Sequence, residues 1–257
     1  MRNYYFIVPS LPPLSIDHRP EISFEELVMR LKLGLSRKDA AQVKVLRLFV
    51  DLCNIRSLFM EEAIDPRGNL SEKELDEALL VKTSLPEYAF DFLDQFENTT
   101  DKVRHFSGLL ALFFNEEIAR HTGFLRAYLI FERESRLVLV GLRAKLVGRD
   151  LAKELQFEDP QDPFVAHLLA QKDTDQYDPP VEYTDLKELI SSCYADPWAE
   201  HIAFAKYRFT YLEQMAEREV FSIGKILCYV AQWMIVENLF ELDRDKGKMI
   251  LDTFTSG

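Results

Sequence analysis

A chain of 257 residues with 43 acidic against 31 basic side chains carries a formal net charge of -12, which argues against nucleic acid or an anionic membrane as its main partner, since both reward clustered Lys and Arg. Its nine glycines are about half the usual share of roughly 7%, and helix formers fill the space they leave, so few turns and long helices are expected. Cys53, Cys193 and Cys228 are odd in number and far apart, which excludes a zinc or redox pair at motif spacing and reads as core thiols in a reducing compartment.

In chain order, Pro9, Pro12, Pro13 and Pro20 exclude a helix from residues 1–20, and YYFIV has the content of an extended segment that lies against a helical body. Ser23 with Glu26 forms a capping box ahead of a short helix to about Leu33, stopped by Gly34. Ser36 then opens a long helix over 36–63, apolar on more than one side, which DPRGN at Asp65 ends. Ser71 with Glu74, and Ser84 with Glu87 around Pro86, start two short helices.

Long helices are predicted over 101–121 and 123–147, with Gly148 as a C-terminal cap and Asp150 opening a short helix to Phe157. Four prolines and many carboxylates mark a loop-rich acidic insert over about 157–184. Helices resume at Thr184 and over 197–219 and 222–242, with a last short one near Lys246. No strand series alternates with them, so the class is all-α with long antiparallel helices. The chain reads as one protein, 1–257, open to division into lobes 1–100, 101–157 and 184–257 around the insert 158–183. Leu48, Leu52, Phe59, Leu139, Leu142 and Trp233 are expected to be buried.

Several motifs bear on chemistry. The stretch VLVGLRAKLVGRDL, Val138–Leu151, lacks the G-x-x-x-x-G-K-[ST] order and the preceding strand of a phosphate loop. Its glycine Gly141 instead admits a close neighbouring helix, while Arg143 and Lys145 lay their stems over apolar neighbours and keep their charges wet. DTDQYD at Asp173 has carboxylates at metal-like spacing, but an EF-hand starting there needs Gly at Asp178 and Glu at Thr184, so it reads as a solvated acidic loop. Glu117 and His121 form a helix-face pair. There is no H-E-x-x-H and no G-x-S-x-G, and no catalytic residue, metal or cofactor is assigned. The longest charge-free apolar run, ILCYVAQWMIV from Ile226, falls short of the ~18 residues of a membrane span, and MRNYYFIVPSLPP has no signal-peptide core, so a cytoplasmic protein is expected.

FVDLCNIRSLF and VLVGLRAKLVGRDL resemble helices of the C/d-type central-stalk protein of the V-type ATPase. Asp51, Asn54 and Ile55 match its Asp-x-x-Asn-Ile sequence, and Leu142, Arg143, Ala144, Lys145 and Gly148 match its Leu-Arg-x-Lys sequence followed by glycine. YVAQWMIVENLFEL from Tyr229 is similar to that family's C-terminal helix. The opening YYFIVPSLPPLS is similar to a small bacterial family encoded in V-type ATPase operons, as in Chlamydia and Bacteroides. The resemblance implies pseudo-repeated helical lobes and a non-catalytic component that links the central shaft to the membrane rotor ring. It would meet stalk and ring subunits at the inner face of the membrane without spanning it.

Between Asp150 and Glu200 the chain has 13 acidic residues against three lysines, most of the charge excess. Such a window suits a basic partner, with Asp173, Asp175, Asp178, Glu182, Asp185 and Glu188 as the candidate contacts. The alternative expectations are an unrelated all-α scaffold and, behind it, an α-helical metal-dependent enzyme.

Overall fold

Capping side chains set where many of the helices begin. The computed structural model describes residues 3–174, 177–193 and 195–255, with the side chains of the last helix described to Leu242. Among them are thirteen α-helices and one 3-10 turn, and the only β pairing is an isolated bridge between Ser15 and His18. The protein is all-α. It divides into two units, residues 1–43 with 190–257, and residues 44–189.

In the first unit, one helical turn, α1 (Ile7–Ser10), occupies the segment expected to be extended. Pro9 does not prevent it, because in the first turn of a helix the missing N–H has no intrahelical partner to lose. In α2 (Phe24–Gly34) the Ser23 hydroxyl accepts from the Glu26 N–H, but the reciprocal half of the capping box is absent and Glu26 pairs with Arg30. α3 (Arg37–Phe59) starts in this unit and continues into the second.

Toward the other end of the chain, α11 (Thr184–Cys193) starts in the second unit and ends in the first, followed by α12 (Pro197–Met215), whose N-cap Asp196 accepts from the Trp198 and Ala199 N–H groups. α12 stops short of residue 219. Glu219 turns instead to the start of α13 (Ile223–Thr255), where its carboxylate accepts from the Ser222 hydroxyl and fills the space beside Gly224. α13 replaces both the helix expected over 222–242 and the separate one near Lys246. Its one break signal, Gly247, costs a helix only about 1 kcal/mol. α12 packs on α13, where Gln232 donates to the Phe209 carbonyl and Trp233 donates to the Ile22 carbonyl while its ring meets Phe24 at a tilt.

In the second unit, α3 ends at Phe59, earlier than expected, as Glu61 enters the left-handed region. α4 (Glu72–Val81) carries the complete Ser71/Glu74 capping box. α5 (Glu87–Asp94) starts where expected, but Pro86 is its N-cap and Ser84, at positive φ, lies too far back to cap it. The helix expected over 101–121 is two, α6 (Thr99–Arg104) and α7 (Phe106–Arg120). At the break the His105 ring stacks on Phe96 and meets Phe157 edge-on.

α8 (Gly123–Leu146) follows α7 after two residues and packs on it, an αα-hairpin. Phe49 of α3 packs against Phe113 and Phe114 of α7 and lies under the Arg136 guanidinium of α8. α9 (Leu151–Glu154) is capped by Asp150, and Gly148 takes positive φ at the turn between α8 and α9. The acidic insert is not all loop: Asp162 caps α10 (Pro163–Leu169), and a 3-10 turn spans Val181–Tyr183. Of the expected core residues, Leu52, Leu139, Leu142 and Trp233 are buried, but Leu48 and Phe59 are only half-buried. α3 is apolar beyond the width of its packed face, and Lys102 lies over the outer ring face of Phe59.

Candidate functional site

The Asp51–Asn54–Ile55 element proves to be a tie between α3 and the loop that follows it. Asp51 and Asn54 are each 1% exposed, and Ile55 is fully buried. Asn54 reads both backbone groups of Asp65: its Nδ2 donates to the Asp65 carbonyl at 2.8 Å, and its Oδ1 accepts from the Asp65 N–H at 2.8 Å. Asp51 accepts from the Leu70 N–H at 3.0 Å and from Asn69 Nδ2 at 2.7 Å. Arg47, one turn earlier, donates to the carbonyls of Arg67 and Gly68. Gly68 is required by this closeness, since a Cβ there would lie 3.1 Å from Asn54 Nδ2 and still nearer the Asp51 carboxylate.

Burial pushes the Asp51 carboxyl above its ordinary range, and the Leu70 N–H, Asn69 and Arg47 pull it part of the way back. The polar side chains of this cluster bond the chain's own backbone and one another, with Asn69 Oδ1 the one buried atom among them left without a partner among the described residues. Such an arrangement holds a loop.

The Leu142–Gly148 element makes a second tie, to the acidic loop. Leu142 and Ala144 are buried and Arg143 is exposed. Lys145 donates through Nζ to the carbonyls of Lys172, at 2.8 Å, and Thr174, at 2.6 Å. Its charge is therefore engaged with backbone rather than simply wet. The neighbour that Gly141 admits is a ring and not a helix: a Cβ there would sit 2.6 Å from Tyr177 Cε2. Tyr177 is buried, and its hydroxyl finds no hydrogen-bond partner among the described residues.

That orphaned hydroxyl gives a direct test of the tie. Tyr177→Phe keeps the ring over Gly141 and removes an uncompensated buried group, so it is expected to leave stability unchanged or raise it by about 1 kcal/mol. Gly141→Ala should instead lower it by about 1–3 kcal/mol through overpacking. Thermal or urea unfolding of both variants checks the pair of signs.

The acidic candidates lie on the outer side of this loop and of α11. Asp173, Asp178, Glu182, Asp185 and Glu188 are all exposed, while Tyr177, Tyr183 and Leu186 beneath them are buried; Asp175 lies outside the described residues. Asp178 is the most constrained of them. Its carboxylate pairs with Lys187, its N–H donates to Gln171 Oε1, and its carbonyl meets Gln171 Nε2 and the His167 ring. Tyr183 donates to Glu134 Oε2 at 2.8 Å, and Arg133 joins Glu158 and Asp162.

Sequence reasoning did not find the Arg133 pair, the Arg47 contacts or the Tyr177 notch, because each joins residues about 20 or more positions apart. Glu117 and His121 do pair, at 3.1 Å, and Tyr88 also reaches Glu117. Burial raises the Cys53 thiol to about 11 and the Cys228 thiol to about 12, so both are held as thiols at neutral pH. Among the described residues, no group of three or more His, Cys, Asp or Glu side chains is placed to hold a metal ion. Among the same residues, no helix is long and apolar enough to cross a membrane.

A family model described as protein of unknown function, DUF2764, matches residues 1–257. An uncharacterised protein of Chlamydia muridarum is 26% identical over 263 residues, covering 100% of this chain and 99% of its own length. One from Chlamydia pneumoniae is 28% identical over 258 residues, covering 98% and 97%. No solved structure matches. These findings overturn the expected kinship with the C/d-type stalk protein of the V-type ATPase, because a single different family accounts for the chain from end to end and no relative's name points to that protein. The short motifs that suggested it, Asp51–Asn54–Ile55 and Leu142–Gly148, are explained by the two ties, which any helix followed by a tight loop can use. The chain belongs to the DUF2764 family.

Proposed function

We propose that this protein is a non-catalytic accessory protein of a V-type rotary ATPase, one that acts by docking on the stalk or rotor subunits and does no phosphoryl chemistry. Kinship with the C/d-type stalk protein forms no part of the proposal. The observation that supports a docking role is the acidic face: five carboxylate side chains stand in solvent on a loop and helix that are firmly tied from below through Lys145, Tyr177, Gln171 and Tyr183. A held array of one sign steers a basic partner and raises its association rate at low salt.

The experiment is copurification from the native cell, followed by association kinetics with the retained ATPase subunits. Asp173→Lys, Glu182→Lys and Glu188→Lys together are expected to slow association roughly tenfold at low salt and to flatten its dependence on ionic strength. The fold should be unaffected, since none of the three side chains is buried. Wild-type rates at both low and high salt would remove the acidic face as the docking surface, and copurification without any ATPase subunit would remove the ATPase.

A further inference from the structure

We infer that the N-terminal turn and the end of α2 form a docking surface for an anionic lipid membrane. Phe6 is 93% exposed and Leu33 85% exposed, and Tyr5 and Met29 are also exposed. These are not scattered. The Ile7 side chain packs where a Cβ on Gly34 would come within 2.7 Å of it, and Arg30 donates to the Ser10 carbonyl, so α1 lies across the C-terminal end of α2. Phe6 and Leu33 are the chain neighbours of the two residues in contact, and Met29 is one turn before Leu33 on the same helix face.

The display is held rigidly. Tyr4 is buried; its N–H donates to the Phe221 carbonyl at 2.7 Å, its hydroxyl donates to Asp39, and the Tyr5 ring packs against Phe221. An exposed apolar cluster on a fixed turn, with its backbone tied, is a surface kept for contact.

Charge selects the occupant. The whole chain is acidic, yet the stretch from Val28 to Lys38 contains Arg30, Lys32, Arg37 and Lys38 and no acidic residue. Lys32, Arg37 and Lys38 are exposed and make no ion pair among the described residues. The carboxylates that flank this stretch in sequence are already engaged: Asp39 accepts from Tyr4, Ser36 and Gln42, and Glu26 pairs with Arg30. Glu25 lies eight residues before Leu33, roughly 12 Å back along the helix. Bulky exposed apolar tips in a stretch with exposed cations suit a bilayer surface, where the tips enter the headgroup boundary and the cations meet anionic lipid. Net charge excludes a membrane only if charge is spread evenly, and here it is not.

The test uses the full chain and sedimentation with two kinds of vesicle: pure phosphatidylcholine, and one part phosphatidylglycerol to two parts phosphatidylcholine. Binding is expected to the anionic vesicles alone and to weaken with added salt. Phe6→Ala with Leu33→Ala should reduce it about tenfold, as should Lys32→Glu with Arg37→Glu and Lys38→Glu, with the thermal midpoint unchanged in each. Equal binding to both vesicles, or none to either, overturns the proposal. So does self-association of the wild type, seen by light scattering, that the apolar pair abolishes while no vesicle is bound; the patch would then be an interface between two copies of the chain.

Discussion

Truncating Leu52 or Leu142 to alanine is expected to lower the unfolding free energy by about 2–5 kcal/mol at either site. Leu52 is 0% exposed on α3 and Leu142 is buried on α8, so each truncation removes methyl groups from a packed interior and leaves a cavity that helices on several sides must close. The two residues sit beside the two ties, next to Asp51 and Gly141 in sequence, so a collapse there also loosens the loops. Urea unfolding with an unchanged m-value measures the loss directly. Losses under about 0.5 kcal/mol at both sites, the range of ordinary surface changes, would mean that neither side chain is part of the core.

Replacing Asn54 by alanine is the second large effect, with an expected loss of about 2–4 kcal/mol. The substitution removes the side chain that bonds both the N–H and the carbonyl of Asp65, leaving both to find water at the base of the loop. Its neighbour Asp51 adds a dependence on pH. Because burial holds the Asp51 carboxyl above its unfolded value, the folded protein binds that proton more tightly. The group's contribution is therefore fully present below the unfolded pKa and is lost as pH rises through the folded one. Asp51→Asn should cost less near pH 7 than near pH 3. A cost that instead grows with pH would show that the hydrogen bonds from Leu70 and Asn69 outweigh desolvation.

Much of the fold was legible in the chain itself, and for a local reason. A cap acts within three or four residues, so Ser71 with Glu74, Asp150, Gly148 and Pro197 marked helix ends that the structure keeps. Apolar periodicity placed Leu52, Leu142 and Trp233 in the interior, and the low glycine content fitted the long helices. The same local signals failed where a distant contact outbid them. His105 interrupts a helix to stack on Phe96, Glu219 leaves α12 for the start of α13, and Pro9 is accepted in a one-turn helix braced by Gly34.

The candidate sites divide in the same way. The exposure of the acidic face could be expected from charge alone, since a dense run of carboxylates is costly to bury. Short motifs such as Asp-x-x-Asn or Leu-Arg-x-Lys say only that polar groups sit at fixed places on a helix; what they bond is set by whichever backbone the tertiary fold brings to them. Here that was the Asp65–Leu70 loop for Asp51 and Asn54, and the Lys172–Tyr177 loop for Lys145 and Gly141. The exposed apolar turn beside a basic stretch was likewise invisible in a net charge of -12, because only the packing of Ile7 on Gly34 brings the turn that carries Phe6 to the end of the helix that carries Leu33 and its cations. Sequence by itself determined the all-α class, many helix ends and which stretches are apolar, since these depend on neighbours along the chain; tertiary structure decided where some helices break or run on and which distant polar side chains meet, because those outcomes depend on residues far apart in it.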